Sequence, residues 1–336
     1  RRSCIYHLPI IVIRSSNYSR HESSRPAPGT MRSALSSAPF RRLFAGTLAS
    51  NIGTWMQNVT LISLAYALTG DAWFTGLITF AQLGPMLFLS PFGGALADRI
   101  DRRVLMVSLS AVQLTLSMAL AVLAFDETPN RLTLVLVVAG IGCAGAINGP
   151  TANALLPTLV TREDMQPAIA LNSVSMNTSR VVGPLLGGVV GAAGGAPLVF
   201  FVNGLTYLFV IWALMSVDVD FSPSGRSDDR PIEQLREGVR AVRADVVMTR
   251  VLLTISLLSM CSLIFIYQMP LLAEQHLGLT GWRFNLLFAV FALGAAAGAL
   301  GMGSFLGSHD RAMTTRVALG LFAVAFCGLV VLAYGL

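Results

Sequence analysis

The densest set of chemically active side chains lies in Gly93-Gly94-Ala95-Leu96-Ala97-Asp98-Arg99-Ile100-Asp101-Arg102-Arg103. A carboxylate four residues before a guanidinium lies beside it on a helical turn. The chemistry this order offers is a latch. The Asp98 carboxylate can hold the positive N-terminal end of a neighbouring helix, and Arg102 can lock it in place. The small residues before it let a second helix approach closely. The plainer alternative is a charged loop that only fixes topology. Other reactive side chains are dispersed. Cys143, Cys261 and Cys327 stand singly in apolar runs, Cys4 lies in a polar N-terminal stretch, and His7, His21, His276 and His309 are scattered. None of these has metal-ligand spacing, and a buried thiol behaves as a small hydrophobe. The sequence holds no H-E-x-x-H, G-x-S-x-G or P-loop. A non-enzyme without metal or cofactor is expected.

The elements that position the Asp98 segment are long and apolar. Of 336 residues, 54% are hydrophobic and only 12% charged, with mean hydropathy +0.69. Soluble domains carry about 25% charged residues, so this chain cannot cover a globular surface. Disorder needs low hydrophobicity and high charge and is excluded as well. A spanning helix needs about 20 mostly apolar residues. Leu43–Gly70, Ala72–Ala97, Val104–Phe125, Leu132–Val160, Val251–Ala273, Phe284–Ser308 and Val317–Leu336 carry no charge. Val181–Leu214 is too long for one span, and Gly194, Gly195 and Pro197 divide it. Its first part reaches back through Arg180 to about Ala168. The expectation is an all-α membrane protein with nine transmembrane helices. A β-barrel would show alternating segments of about 10 residues instead.

Arginine sets the orientation. The 23 basic residues are all Arg. With nine helices, one side collects Arg32, Arg41, Arg42, Arg99, Arg102, Arg103, Arg162, the six arginines from Arg226 to Arg250, Arg311 and Arg316. The other side holds only Arg131 and Arg283. The positive-inside rule places the rich side, and the N-terminus, in the cytoplasm. The net charge of +6 is thus a topology signal. Nucleic-acid binding would need a basic face on a soluble module.

The loop between the second and third helices resembles the G-x-L-A-D-R-x-G-R-R signature of the major facilitator superfamily. Gly94, Leu96, Ala97, Asp98, Arg99, Arg102 and Arg103 match it; Asp101 stands where the family usually has Gly. That departure adds a negative charge able to compete for Arg102 or Arg103. In the fifth helix, Ser179-Arg180-Val181-Val182-Gly183-Pro184-Leu185-Leu186-Gly187-Gly188 resembles the antiporter motif G-x8-G-x3-G-P-x2-G. Gly183, Pro184 and Gly187 match, whereas Ala170 and Ser179 replace glycines. A Gly-Pro pair predicts a kink, the flanking glycines close packing. Asn153–Leu214 is similar to the enterobactin-exporter and macrolide-efflux branch of the superfamily. The resemblance implies twelve helices in two parallel halves, alternating access, a small-molecule substrate and coupling to protons.

Polar residues within spans are the binding candidates. Asn51, Gln57, Asn58, Asn148, Asn153 and Asn177 are expected to line a cavity, with Gln82, Gln113, Asn203, Gln268 and Asn285 as further members of a polar path. Each also serves as interhelical glue under the plainer reading. Arg180 is expected to face the bundle interior, hydrogen-bonded to Asn148, Asn153, Asn51 or Gln57. No Asp or Glu lies deep in any span, so no coupling carboxylate is visible.

The expected organisation is an extraneous or disordered stretch over residues 1–30, a six-helix half over 31–217, a linker with an amphipathic helix over 218–250, and a partial second half over 251–336. Met31 reads as a start, and Leu336 falls inside the ninth helix. Gly94-Ala95-Leu96-Ala97 aligns with Gly303-Ser304-Phe305-Leu306, and Asp101-Arg102 with Asp310-Arg311, a faint internal repeat. The function expected is a monomeric plasma-membrane exporter of small hydrophobic or amphipathic molecules, of drug or siderophore class. The alternative is a truncated, non-transporting membrane protein or assembly partner.

Overall fold

In the computed structural model, the described residues are 27–126, 128–219, 221 and 240–257, with isolated positions at 259, 278, 294, 320, 321 and 324. The expected tail, the flexible part of the linker, the eighth and ninth spans and the internal repeat at Gly303 fall largely outside them. Among the described residues the regular elements are all helices: α1 (Met31–Ser36), α2 (Ala38–Thr69), α3 (Ala72–Ala97), α4 (Arg102–Leu123), α5 (Arg131–Leu159) and α6 (Met165–Met215). A further helix, α7, runs over Val246–Leu257.

Local chemistry sets the boundaries. Thr30, Asp71, Asp101 and Asn130 cap α1, α3, α4 and α5 by accepting from first-turn backbone N–H groups, the donors a helix leaves unpaired. Gly70 closes α2 at φ 63, where a side chain would be strained. Inside the 51-residue α6, only Gly194 and Gly195 leave helical geometry. Gly195 has φ 68, so the expected break occurs there. The kink expected at Pro184 does not appear in the backbone dihedrals; Pro184 is buried within continuous helix.

Four helices, α3 to α6, are long and apolar enough to cross a membrane. The 32-residue α2 has the length, but Asn51, Thr54, Gln57, Asn58 and Thr60 dilute its apolar character. Large apolar side chains such as Leu87 (75% exposed), Phe88 and Val189 point outward. That pattern suits lipid and not water.

The interior is layered. At one end Phe40, Leu43, Met106, Leu155, Leu171, Val210 and Leu214 form an apolar cluster. At the other, Leu61, Phe74, Ile78, Leu120, Leu134, Val138 and Phe200 form a second. Polar side chains lie between them along the same helices. The arginine-bearing segments meet at the first end: Ser37 Oγ donates to the Leu159 carbonyl at 2.8 Å, and Arg42 Nη1 to Ser216 at 2.7 Å. The arginine alternation read from sequence therefore gathers Arg41, Arg42, Arg102 and Arg103 at one end of the described bundle.

Candidate functional site

The loop between α3 and α4 is built from both helix ends. The Asp98 N–H continues the last turn of α3 by donating to the Gly94 carbonyl at 3.1 Å. Asp101 Oδ1 accepts from the N–H groups of Arg103 at 2.8 Å and Val104 at 3.2 Å. Asp101 therefore starts α4. The expectation that it competes for Arg102 or Arg103 is corrected: a carboxylate at an N-cap is occupied by backbone donors. Close packing falls on Gly93, where a Cβ would stand 3.0 Å from the Cα of Ile147 on α5. Around Gly94, the position that matches the signature, such a Cβ would meet no described atom within 4 Å.

Arg102 is only 6% exposed. Its Nε donates to the Ala97 carbonyl at 3.2 Å, and Nη1 to the Ala154 carbonyl of α5 at 3.1 Å. Nη2 lies 3.7 Å from Asp98 Oδ1. The predicted Asp98–Arg102 pairing is thus present, and it extends to a third helix. Arg103 Nη2 donates to the carbonyls of Val217 and Val219, the latter at 2.9 Å. Its guanidinium stacks 4.8 Å over Phe221. The two arginines consequently join α3, α4, α5 and the stretch after α6. Arg99 is exposed. Among the described residues the partner of Asp98 is Arg102, not another helix's N-terminus.

The fifth-helix motif seats the first part of α6 on α2. A Cβ on Gly183 would stand 2.5 Å from Trp55 Cβ and 2.9 Å from the Ile52 carbonyl oxygen, so only glycine fits. On Gly187 it would find ordinary contact with Met56. Ser179 is fully buried and donates to the Ser175 carbonyl at 2.8 Å. Arg180, on the neighbouring strip, is exposed, and its guanidinium lies 5.2 Å above the Trp55 ring. The expectation of hydrogen bonds to Asn148, Asn153, Asn51 or Gln57 is corrected: those side chains are used elsewhere or stand apart from it. A charge at mid-span costs about 2.5–3.5 kcal/mol on insertion scales. Cation–π attraction of about 0.5–2 kcal/mol offsets only part of that.

The polar candidates divide into two groups. Gln57 is fully buried, and its Oε1 accepts from Ser117 Oγ at 3.0 Å and Asn203 Nδ2 at 2.8 Å. Asn58 Oδ1 accepts from Gln82 Nε2 at 2.5 Å. Asn148 Nδ2 donates to Gln113 Oε1 at 3.2 Å. These knit α2, α3, α4, α5 and α6 through the middle layer. Asn51 Nδ2 reaches Ser175 Oγ at 3.5 Å, and Asn177 bonds within its own helix to Ser173. Asn153 is exposed. Gln57 and Asn58 are therefore buried glue and do not open onto a surface, while Asn153 and Arg180 do.

Sequence reading passed over Asp164. Its Oδ1 accepts from the Gly29 N–H at 2.9 Å, and its Oδ2 from Ser33 Oγ at 3.0 Å and Thr161 Oγ1 at 3.2 Å. The Gly29 N–H holds the carboxyl below the usual aspartate range, burial opposes it, and the two hydroxyls assist. The segment before α2 is thereby clasped to the loop between α5 and α6. Trp55 and Ser117 were missed too. A tryptophan near the middle of α2, away from the interfacial positions that residue favours, was the available signal.

Comparison with known proteins agrees with this architecture. The family described as transmembrane secretion effector matches residues 30–336. The enterobactin exporter of Shigella boydii serotype 4 is 25% identical over 292 residues, covering 85% of this chain and 70% of that protein. The staphyloferrin A transporter of Staphylococcus aureus is 27% identical over 170 residues, half of this chain and 43% of its own length. A bacterial homologue of the human lysosomal transporter Spinster, solved inward-facing and unoccupied, superposes with TM-score 0.62 at 16% identity. That match covers 81% of this chain and 64% of the solved one, and it speaks for the fold alone. The chain thus spans under half of the staphyloferrin A transporter and under two thirds of the solved chain. With the loop signature, the fifth-helix glycines and the helical bundle all in place, the chain belongs to the transmembrane secretion effector family of the major facilitator superfamily.

Proposed function

We propose that this chain is a secondary active transporter that exports small hydrophobic or amphipathic molecules, of drug or siderophore class, by alternating access coupled to proton entry. The observation that carries this reading is the match across 85% of the chain to a protein named as an exporter. The geometry supports it. An arginine-rich end is held by Arg102 and Arg103, whose acceptors lie on other elements. These contacts tie the loop to the half that carries it and to the start of the linker, so the gate moves with that half when the two halves part. In this reading residues 31–217 act as one rocking half and 251–336 belong to the other, with the 218–250 linker on the cytoplasmic face. Gly94, Asp98, Arg99, Arg102 and Arg103 form the gate, while Arg180, Asn51, Asn153 and Asn177 border the substrate path. The protein works as a plasma-membrane monomer.

The test is efflux. Proteoliposomes holding the chain are loaded with a panel of amphipathic dyes and iron chelators, and an inward proton gradient is imposed. Export that collapses with a protonophore supports the reading. Export that ignores the gradient removes the coupling, and no export of any panel member removes the function.

A further inference from the structure

We propose that the Arg180 guanidinium, seated on the Trp55 ring, is the binding site for an anionic group of the substrate, a carboxylate carried on an aromatic or amphipathic body. The proposal rests on the transporter reading and names the substrate's chemistry.

Position is the first ground. Arg180 lies near the middle of the α6 segment that precedes the Gly194–Gly195 break, and it is exposed there. A cation at mid-span is costly toward hydrocarbon, so the exposed side of Arg180 belongs to the bundle interior or a water-filled cavity. The second ground is charge balance. Among the described residues between Ala38 and Met215 the acids are Asp71, Asp98, Asp101, Asp126, Glu163 and Asp164, all at helix ends or in loops. None of them is placed to neutralise Arg180 within the layer it occupies, and a substrate anion can.

The third ground is the shape of the seat. Trp55 lies against the guanidinium at 5.2 Å, and a ring on the face leaves the edge donors available to a ligand. That edge is a planar fork matched to two carboxylate oxygens. Gly183 packs so tightly on Trp55 Cβ and the Ile52 carbonyl that the root of the Trp55 side chain is fixed relative to α6. Asn51, one turn before Trp55, and Asn177, three residues before Arg180, keep the adjoining strip polar without adding charge. The site therefore selects one negative charge beside an apolar ring.

The test uses the full chain in lipid nanodiscs with Trp73→Phe, Trp212→Phe and Trp282→Phe, so that Trp55 is the only emitter. The probes are 4-phenylbutyrate and its neutral amide. A saturable change in Trp55 emission is expected with the carboxylate, at an apparent Kd at least tenfold lower than for the amide. Arg180→Gln abolishes that preference, and Arg180→Lys, which keeps the charge, retains part of it. Equal affinity for both probes, preference surviving in Arg180→Gln, or no saturable change overturns the proposal. The last outcome would indicate that a carboxylate of the polypeptide itself already occupies the fork. Proteoliposome uptake of phenylbutyrate and Nile red separates the two readings. Dye movement without charge preference leaves transport standing and the anion site fallen. A saturable Trp55 signal with neither compound moved leaves the site standing and transport fallen.

Discussion

At the residue scale, Asp98 and Arg102 form one pair with unequal consequences. Asp98 is nearly half exposed on its side chain and 3.7 Å from its partner, and exposed pairs contribute about 0–1 kcal/mol. Arg102 is buried against the carbonyls of Ala97 and Ala154, and a buried acceptor left unmade costs about 1–3 kcal/mol. Arg102→Ala is therefore expected to lower the unfolding temperature in detergent clearly, while Asp98→Asn leaves it within about a degree or two. Equal losses would show that the pair, and not the carbonyls, holds the loop. Spacing alone revealed this pair because its members are four residues apart. Spacing could not reveal Ala154 or Phe221, which arrive from distant segments, nor that Asp101 spends its carboxylate on capping. Asp164 shows the same limit, since its donors Gly29 and Ser33 lie more than 130 positions away. Its depressed pKa carries a pH signature. A free aspartate titrates near about 3.9, so the clasp is fully present above that value. It is lost as pH falls through the lower folded value. Hydrogen exchange across residues 28–37 is expected to stay slow down to about pH 4 and to quicken in stronger acid. Asp164→Asn should give fast exchange at neutral pH; slow exchange in that variant would show that α1 is held by apolar packing alone.

At the element scale, the contact between α2 and the first part of α6 depends on Gly183. Because a Cβ there would meet backbone atoms of Ile52 and Met56 as well as Trp55, relief requires the helices to part. Overpacking of this kind costs about 1–3 kcal/mol. Gly183→Leu is expected to insert yet lose the Trp55–Arg180 stack, seen as a change in Trp55 emission in the single-tryptophan form. Gly187→Ala, which meets only ordinary contact, should leave emission unchanged. If both variants behave alike, the motif acts as a general small-residue strip. The glycines were legible in the sequence as packing residues, and so was the Gly194–Gly195 division, because two glycines and a proline interrupt an otherwise continuous apolar run. At Pro184 the backbone dihedrals stay helical. Proline removes one hydrogen bond, and the glycines on either side of it, Gly183 and Gly187, pack on α2. The part of α2 from Leu43 onward was readable as a span from its lack of charge, whereas its polar content reflects partners such as Ser117 and Asn203 that only tertiary packing supplies.

At the scale of the whole molecule, two apolar layers enclose a polar one, and arginine anchors cluster at one end. Composition and arginine placement made the class and this polarity legible, because lipid and topology act on every residue at once. Which polar residues face a path and which are glue was not legible: Gln57 and Asn153 look equivalent in sequence, and only packing buries the first. Under the proposed transport cycle this end opens as a unit, because Arg102 and Arg103 tie the loop to α5 and to the Val217–Val219 stretch. Ala97, fully buried beneath this junction, is a reporter of it. In a chain with Cys4, Cys143, Cys261 and Cys327 changed to Ser, a cysteine replacing Ala97 should react with an impermeant maleimide only when that end opens. Removing the Asp98 charge withdraws about 0–1 kcal/mol from the closed form, and 1.4 kcal/mol is a factor of ten. Asp98→Asn should therefore raise the labelling rate by up to about fivefold and slow turnover. Arg103→Ala, which frees two carbonyls and the Phe221 stack, should raise labelling further. Unchanged labelling in both variants, with Asp98→Arg also inserting and exporting normally, would reduce the loop to a topology signal.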